Sequence, residues 1–162
     1  MNPVAQSPLF VRAGAGHFAD LGDHRAHIKV SADHIEGVFM LIETDADFNG
    51  GVPPHIHRIE DETFFMLSGR IEFGIGDQVI EAGPGDTVFA PRNIEHTWHC
   101  TSPEGAKMLI WFTPGDNFQA FGLAMAAGRR PARRDGGSGV DGRIHGTHGE
   151  TRHRNAPARQ IG

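Results

Sequence analysis

The sequence predicts an all-β domain of sandwich or barrel type, followed by a short C-terminal helix and a disordered basic tail. Short apolar runs recur between residues 36 and 113, and each is closed by Gly, Pro, Asn, Asp or Ser. This pattern is typical of strands that are joined by tight turns. Apolar residues then recur at helical spacing near residue 120, and large apolar side chains almost disappear after residue 127. That change favours a helix and then disorder.

The apolar runs define the predicted strands. In chain order they are Glu36–Glu43, Glu62–Leu67, Arg70–Ile75, Gln78–Ala82, Thr87–Ala90, His96–Thr101 and Ala106–Thr113. The breaks between them follow turn chemistry, because Gly supplies a positive φ, whereas Pro fixes φ and lacks the N–H that a sheet ladder needs. Upstream, residues 1–22 contain prolines and glycines that argue against a long element, so this segment is predicted to be irregular.

A short amphipathic helix is predicted after the last strand. Phe118, Phe121 and Met125 are three or four residues apart and would form one apolar stripe. Asp116 can cap the N-terminus of this helix, Asp116–Ala127. We expect the stripe to pack on the outside of the barrel, and a partner-binding surface is the alternative.

Charge is distributed unevenly along the chain. Residues 1–127 carry 7 Lys and Arg against 17 Asp and Glu, whereas residues 128–162 carry 8 Arg against 3 acidic residues. The tail has too few large apolar residues to offset the entropy of ordering. A basic tail can contact nucleic acid or an anionic surface, but a solvated extension without a partner is the simpler interpretation. The expected organisation is an irregular segment at 1–22, the barrel with its helix at 23–127 and the tail at 128–162.

Length and composition disfavour several classes of protein. A chain of 162 residues favours one domain with a substantial core. No apolar run approaches the roughly 18 residues of a transmembrane helix, and no secretory signal is visible. The single cysteine excludes an intrachain disulfide, and we expect a cytoplasmic protein without a membrane partner. The acidic barrel and the lack of a helix-turn-helix pattern disfavour nucleic acid.

His55, His57, Glu62 and His96 form the pattern with the most chemical content. Side chains alternate along a strand, so His55 and His57 would point to the same side. A short turn through Arg58–Asp61 would let Glu62 enter beside them, and a closed or curved sheet must bring His96 from a distant strand. Three imidazoles and a carboxylate are good ligands for a divalent transition metal. For an isolated pair of histidines, a solvated surface pair is the alternative.

The residues around these four resemble the first motif of the cupin superfamily, G(X)5HXH(X)3–4E(X)6G. His55, His57, Glu62 and Gly69 match it in identity and spacing, whereas Gly50 stands one position late for the opening glycine.

The second cupin motif, G(X)5PXG(X)2H(X)3N, is matched at Gly85, Pro91 and His96. Asn93 stands in place of its glycine and Cys100 in place of its closing asparagine, and neither departure removes an expected metal ligand. The resemblance covers about residues 36–113. It implies an antiparallel jelly-roll β-barrel whose four motif ligands hold one divalent transition metal, which could be Fe, Mn, Ni, Co or Zn.

Strand alternation supplies a candidate substrate pocket near the metal. The side chains that would share its face are Met40, Phe64, Met66, Phe73, Trp98 and Cys100. The last strand would add either the set Met108, Ile110 and Phe112 or the set Leu109 and Trp111. Such a pocket would be apolar, with the metal as its main polar anchor. The alternative is that these side chains simply fill the barrel. His99 should point outward.

The segment PPHIHRIEDETFFMLSG closely resembles quercetinase-like cupins. This resemblance implies a metal-dependent dioxygenase that acts on an aromatic or polyketide-like small molecule. Glu62 would then be both a weak ligand and the catalytic base, and we expect burial to raise its pKa. The alternatives are a non-redox, metal-dependent isomerase or cyclase, and a small-molecule-binding cupin without catalysis.

A homodimer is also expected. In small cupins an N-terminal segment often adds an edge strand or is exchanged with a partner subunit, and long uncovered sheet edges are a liability.

Overall fold

The computed structural model describes residues 7–115, which form ten β-strands and one short 3₁₀ helix, Ala32–Ile35. The strands are β1 His17–Asp20, β2 His24–Val30, β3 Met40–Ala46, β4 Gly51–His55, β5 Asp61–Ser68, β6 Ile71–Ile75, β7 Gln78–Ala82, β8 Thr87–Ala90, β9 His96–Cys100 and β10 Ala106–Thr113. Within 7–115, no helix has the length and apolar character needed to cross a membrane. The predicted helix at 116–127 and the predicted tail at 128–162 lie outside the described residues.

The strands form two antiparallel sheets around one core. The six-stranded sheet has the order β1-β2-β3-β10-β5-β8, and the four-stranded sheet has the order β4-β9-β6-β7. Along β3 and β10, buried side chains alternate with half-buried ones, as expected when one face of a sheet is covered. The fold is the antiparallel jelly-roll barrel that the sequence predicts.

Large aromatic and sulfur-containing side chains fill the core between the sheets. Met40, Phe64, Met66, Phe73 and Phe112 are among its most buried members. Each such side chain contributes roughly 1.5–3 kcal/mol by leaving water, so the core also fixes the relative position of the two sheets.

Three strands have the predicted bounds, Gln78–Ala82, Thr87–Ala90 and Ala106–Thr113. The predicted strand Glu36–Glu43 is wrong in its first half, because β3 begins at Met40. The 3₁₀ helix ends at Ile35, and the C-cap residue Glu36 has a left-handed φ of 55°. Counting apolar residues did not reveal that turn.

The N-terminal edge of the six-stranded sheet differs from the prediction. β2 is absent from the predicted strands, although Ile28 pairs with Ile42 of β3. β1 lies within residues 1–22, where no regular element was predicted, and it pairs with β2 as an edge strand. Lys29 of β2 anchors the chain before β1, because its Nζ donates to the carbonyls of Arg12 and Ala15 at 3.2 and 3.0 Å.

Candidate metal centre

Two of the candidate ligands come from neighbouring strands of the four-stranded sheet. His55 is the last residue of β4 and lies opposite His96, the first residue of β9, so that their ring centroids are 4.3 Å apart. Pro53 and Pro54 lie in β4, which is possible because β4 is an edge strand and needs fewer ladder donors. His55 and His96 are both buried.

The other two candidate ligands lie after β4 and on the opposite sheet. His57 stands two residues beyond the end of β4, and its ring remains beside that of His55, with centroids 4.9 Å apart. The chain bends at Arg58 and Ile59, and β5 then carries Glu62 into the barrel from the six-stranded sheet. The predicted turn is therefore present, and all four ligands converge although they belong to different sheets.

The donor atoms of the four residues lie close enough to share one ion. One ligand atom from each of His55, His57, Glu62 and His96 lies within 4.8 Å of the others, and all four residues are buried. The two oxygens of Glu62 lie 3.1 Å from Nε2 of His57 and 3.2 Å from Nε2 of His96. Two atoms bound to one cation at about 2.1 Å are roughly 3.0–3.4 Å apart in octahedral or tetrahedral coordination. The spacing therefore suits a divalent transition metal.

Backbone carbonyls set the orientation of two of the rings. Nδ1 of His55 lies 2.9 Å from the carbonyl of Pro53, and Nδ1 of His96 lies 2.9 Å from that of Ile94. A carbonyl oxygen can only accept, so each Nδ1 carries a proton, and in a neutral ring Nε2 then presents a lone pair to the site. Nε2 of His96 is buried and faces Glu62 at 3.2 Å, on the side where the four donor atoms converge.

Burial and the neighbouring side chains shift the pKa values of the site residues in different directions. Burial acts to raise the pKa of Glu62, but His57 and His96 outweigh it and lower the pKa to about 2. Burial lowers the pKa of His55 to about 4, so that ring is neutral at pH 7. Burial acts in the same direction on His57, but Glu60 and Glu62 reverse it and raise the pKa to about 9. The predicted rise in the pKa of Glu62 is therefore wrong for this arrangement, because two imidazoles face the carboxylate.

Glu60 is a buried acidic residue of the site region that the sequence did not reveal. It lies in the turn between β4 and β5, has 0% exposure and places Oε2 at 3.6 Å from Nδ1 of His57. Neither of its carboxylate oxygens has a hydrogen-bond partner within 7–115. No sequence signal marks it, because acidic residues in turns are usually solvated.

The predicted pocket residues are all buried in the core between the sheets. They are Met40, Phe64, Met66, Phe73, Trp98 and Cys100, and each is at most 3% exposed. The rings of Phe64 and Phe73 pack with centroids 4.8 Å apart. Whether these side chains contact a substrate stays a prediction.

The structure shows which side chains of β10 and β9 face the interior of the barrel. On β10 the inward set is Met108, Ile110 and Phe112, and the Phe112 ring lies 5.9 Å from that of His57. On β9, His99 is exposed and faces Glu72 at 3.8 Å, as alternation predicts.

Asparagine replaces glycine at two motif positions for the same physical reason. Position 49, six residues before His55, corresponds to the opening glycine of the first motif, and Asn49 has φ 64°. Asn93, in place of the glycine of the second motif, has φ 67°, and its N–H donates to the carbonyl of His57 at 2.7 Å. Asn tolerates the left-handed conformation better than most residues that have a Cβ. Both asparagines therefore occupy a left-handed backbone conformation that a glycine would also adopt.

Comparisons with known proteins agree with this geometry. Residues 46–112 match the family model described as a cupin domain. The chain is 26% identical over 113 residues to quercetin 2,3-dioxygenase of Bacillus subtilis, a match that covers 70% of this chain and 33% of that protein. It is 29% identical over 77 residues to an uncharacterized protein of Streptomyces coelicolor, covering 48% of this chain and 70% of the relative.

Solved structures share the fold at low sequence identity. A "predicted oxalate decarboxylase" from Thermotoga maritima has a TM-score of 0.60 at 16% identity, covering 65% of this chain and 99% of that one. KdgF from Halomonas sp. has a TM-score of 0.58 at 18% identity, covering 67% of this chain and 94% of that one. The barrel, the buried ligand set and the matching cupin-domain model, which spans all four ligands, agree with the resemblance of residues 46–112 to the cupin superfamily.

Proposed function

We propose that the protein is a metal-dependent cupin enzyme of dioxygenase type, which acts on an aromatic or polyketide-like small molecule. The observation that carries the proposal is the convergence of His55, His57, Glu62 and His96 within 4.8 Å in a buried site. The similarity to quercetin 2,3-dioxygenase supports the choice of chemistry, although the chain spans only a third of that protein's length.

The four ligands would hold the ion through three imidazole nitrogens and one carboxylate. A divalent transition metal there supplies a Lewis acid for a chelating enol or carbonyl oxygen and, when redox-active, a route for electrons to dioxygen. The Phe112 ring lies 5.9 Å from that of His57, and the apolar core to which Phe112 belongs would exclude water and so strengthen the polar interactions within the site.

Glu62 is the residue that we assign to proton transfer. Its low pKa depends on the imidazoles of His57 and His96, whereas burial alone acts to raise it. When a substrate separates the carboxylate from those rings, burial becomes the dominant effect, and Glu62 becomes a stronger base toward a substrate hydroxyl. Residues 7–115 contain no tyrosine, since the whole chain has none, so no phenol competes for this role.

The proposal is tested by oxygen uptake. The protein would be loaded without oxygen with iron, manganese, nickel or cobalt and then assayed with flavonols and related enols, with His96→Ala as the matched control. We expect uptake with at least one metal and loss of uptake in the control. No uptake with any of the four metals across a broad substrate panel would contradict a dioxygenase.

A non-redox isomerase or cyclase is the second candidate. The same ligand set could serve it, because Lewis-acid chemistry at a bound metal also needs only one protein base, Glu62. Turnover that persists without oxygen, and with redox-inert zinc, would select this function. Stoichiometric binding of a small molecule without turnover would instead indicate a binding cupin.

We also propose a homodimer. The six-stranded sheet ends at β1 and β8, and these edge strands expose Phe18 and Phe89, each at 56%. Exposed apolar side chains on an edge strand favour association. Light scattering after size-exclusion chromatography should give twice the mass of one 17.6 kDa chain, and a monomeric mass would contradict the proposal.

A further inference from the structure

Glu60 is a buried carboxylate that the ligand set does not include. It is fully buried in the turn that joins β4 to β5, and neither oxygen has a hydrogen-bond partner within 7–115. Burying a carboxylate is strongly unfavourable unless a charge or a donor compensates it. The structure places one such group beside it, Nδ1 of His57 at 3.6 Å.

The position of Glu60 relative to the ring excludes a role as a ligand to the same ion. Its Oε2 faces Nδ1 of His57, whereas Glu62 faces Nε2 of that ring at 3.1 Å. The two carboxylates therefore lie on opposite sides of the imidazole, and only Glu62 reaches the point where the four donor atoms converge.

The neighbouring histidines show what a partner on the Nδ1 side does. Nδ1 of His55 and of His96 each donates to a backbone carbonyl at 2.9 Å, which orients the ring so that Nε2 faces the site. At His57 a carboxylate lies on that side. A negative charge there both fixes the Nδ1–H form and makes Nε2 a stronger donor to a metal.

We propose that Glu60 is a positioning residue: it acts through His57, holding the proton on Nδ1 and directing the Nε2 lone pair at the metal site. The inference depends on the metal site of the proposed function but not on its dioxygenase chemistry. Together with Glu62, Glu60 places a second carboxylate beside the His57 imidazole.

The test uses the full chain and zinc ions alone, titrated in competition with a chelator at pH 9. Glu60→Gln removes the charge and keeps the size of the side chain, and Glu60→Asp restores the charge. Glu72→Gln, at a half-buried carboxylate on β6, is the matched control for the loss of one charge. We expect Glu60→Gln to bind zinc roughly 10–100-fold more weakly, Glu60→Asp to recover part of the loss and Glu72→Gln to bind like the wild type. Unchanged affinity in Glu60→Gln would overturn the inference.

A spectroscopic measurement on the wild-type protein keeps the inference testable if Glu60→Gln does not fold. Nitrogen-15 NMR of the zinc-loaded protein should show a proton on Nδ1 of His57 and zinc on Nε2. Zinc on Nδ1 of His57 would overturn the inference. Because neither measurement involves turnover, weaker zinc binding without oxygen uptake would support the role of Glu60 and contradict only the dioxygenase.

Discussion

The affinity of the site for a divalent metal should rise steeply as the pH increases from 7 to 9. A metal needs the Nε2 lone pair of His57, but this ring lies between two carboxylates that raise its pKa to about 9. A proton must therefore leave before the metal binds. His55 and Glu62 do not contribute in this range, because the pKa of His55 is lowered to about 4 and that of Glu62 to about 2.

The size of the effect follows from the protonation of His57. For a pKa of about 9, the deprotonated fraction increases about ninefold from pH 7 to pH 8 and about fifty-fold from pH 7 to pH 9. The apparent affinity should increase by the same factors and gain at most about a further factor of two above pH 9. The stability of the metal-free protein changes with pH in the opposite direction. Because folding raises the pKa of His57, the protonated ring stabilises the folded state at low pH, and this contribution is lost as the pH rises through about 9.

Calorimetric titration with zinc at pH 7.5, in two buffers that differ in ionisation enthalpy, would measure this linkage. We expect close to one proton released per ion from His57. Release of no protons, together with an affinity that does not change between pH 7 and pH 9, would refute the assignment of a protonated His57 in the metal-free site.

Four further outcomes follow from the structure. His96→Ala should lose most of the bound metal by elemental analysis, because it deletes one of the four converging donors. Glu62→Gln should retain more metal than His96→Ala but lose turnover in steady-state kinetics, because the amide cannot accept the substrate proton. Phe73→Ala should cost about 3–5 kcal/mol in urea unfolding, as expected for a large cavity at a fully buried ring. Asn93→Gly should be nearly neutral, whereas Asn93→Val should cost more than about 1 kcal/mol, since φ is 67° there.

Each of these outcomes has a clear contrary result. Full metal content in His96→Ala would remove that residue from the ligand set. Unimpaired turnover in Glu62→Gln would refute its role as a base. A loss below about 1 kcal/mol in Phe73→Ala would mean that the core closes around the cavity, and equal stabilities of the Gly and Val variants at position 93 would exclude strain as the reason for asparagine there.

The ligand set could be predicted because it depends on local spacing. His55, His57 and Glu62 fall within eight residues, and strand alternation with one turn is sufficient to bring them together. His96 was harder to place from spacing alone, since it needs the pairing of β9 with β4, which the motif supplied. The strand bounds at β7, β8 and β10 were predictable because a Gly or a Pro directly follows each of those runs.

Features that depend on tertiary contacts could not be predicted in the same way. Alternation of Ala26, Ile28 and Val30 marks β2, but the other residues of the strand are His, Arg and Lys, so the run does not stand out as apolar. The burial of Glu60 follows from the packing of its turn against the barrel. The pKa of Glu62 depends on which imidazoles face it, and composition shows only that the surroundings are apolar.

The division of the ligands between the two sheets has a consequence for the lifetime of the protein. His55 and His96 belong to the four-stranded sheet and Glu62 to the six-stranded sheet, so an ion held by all three is a crosslink across the seam of the sandwich. A ligand that binds only the folded state lowers the population of open forms, which are the forms that proteases cut. In a cell that is short of the ion, newly made chains would therefore be degraded faster, and protein abundance would follow metal supply.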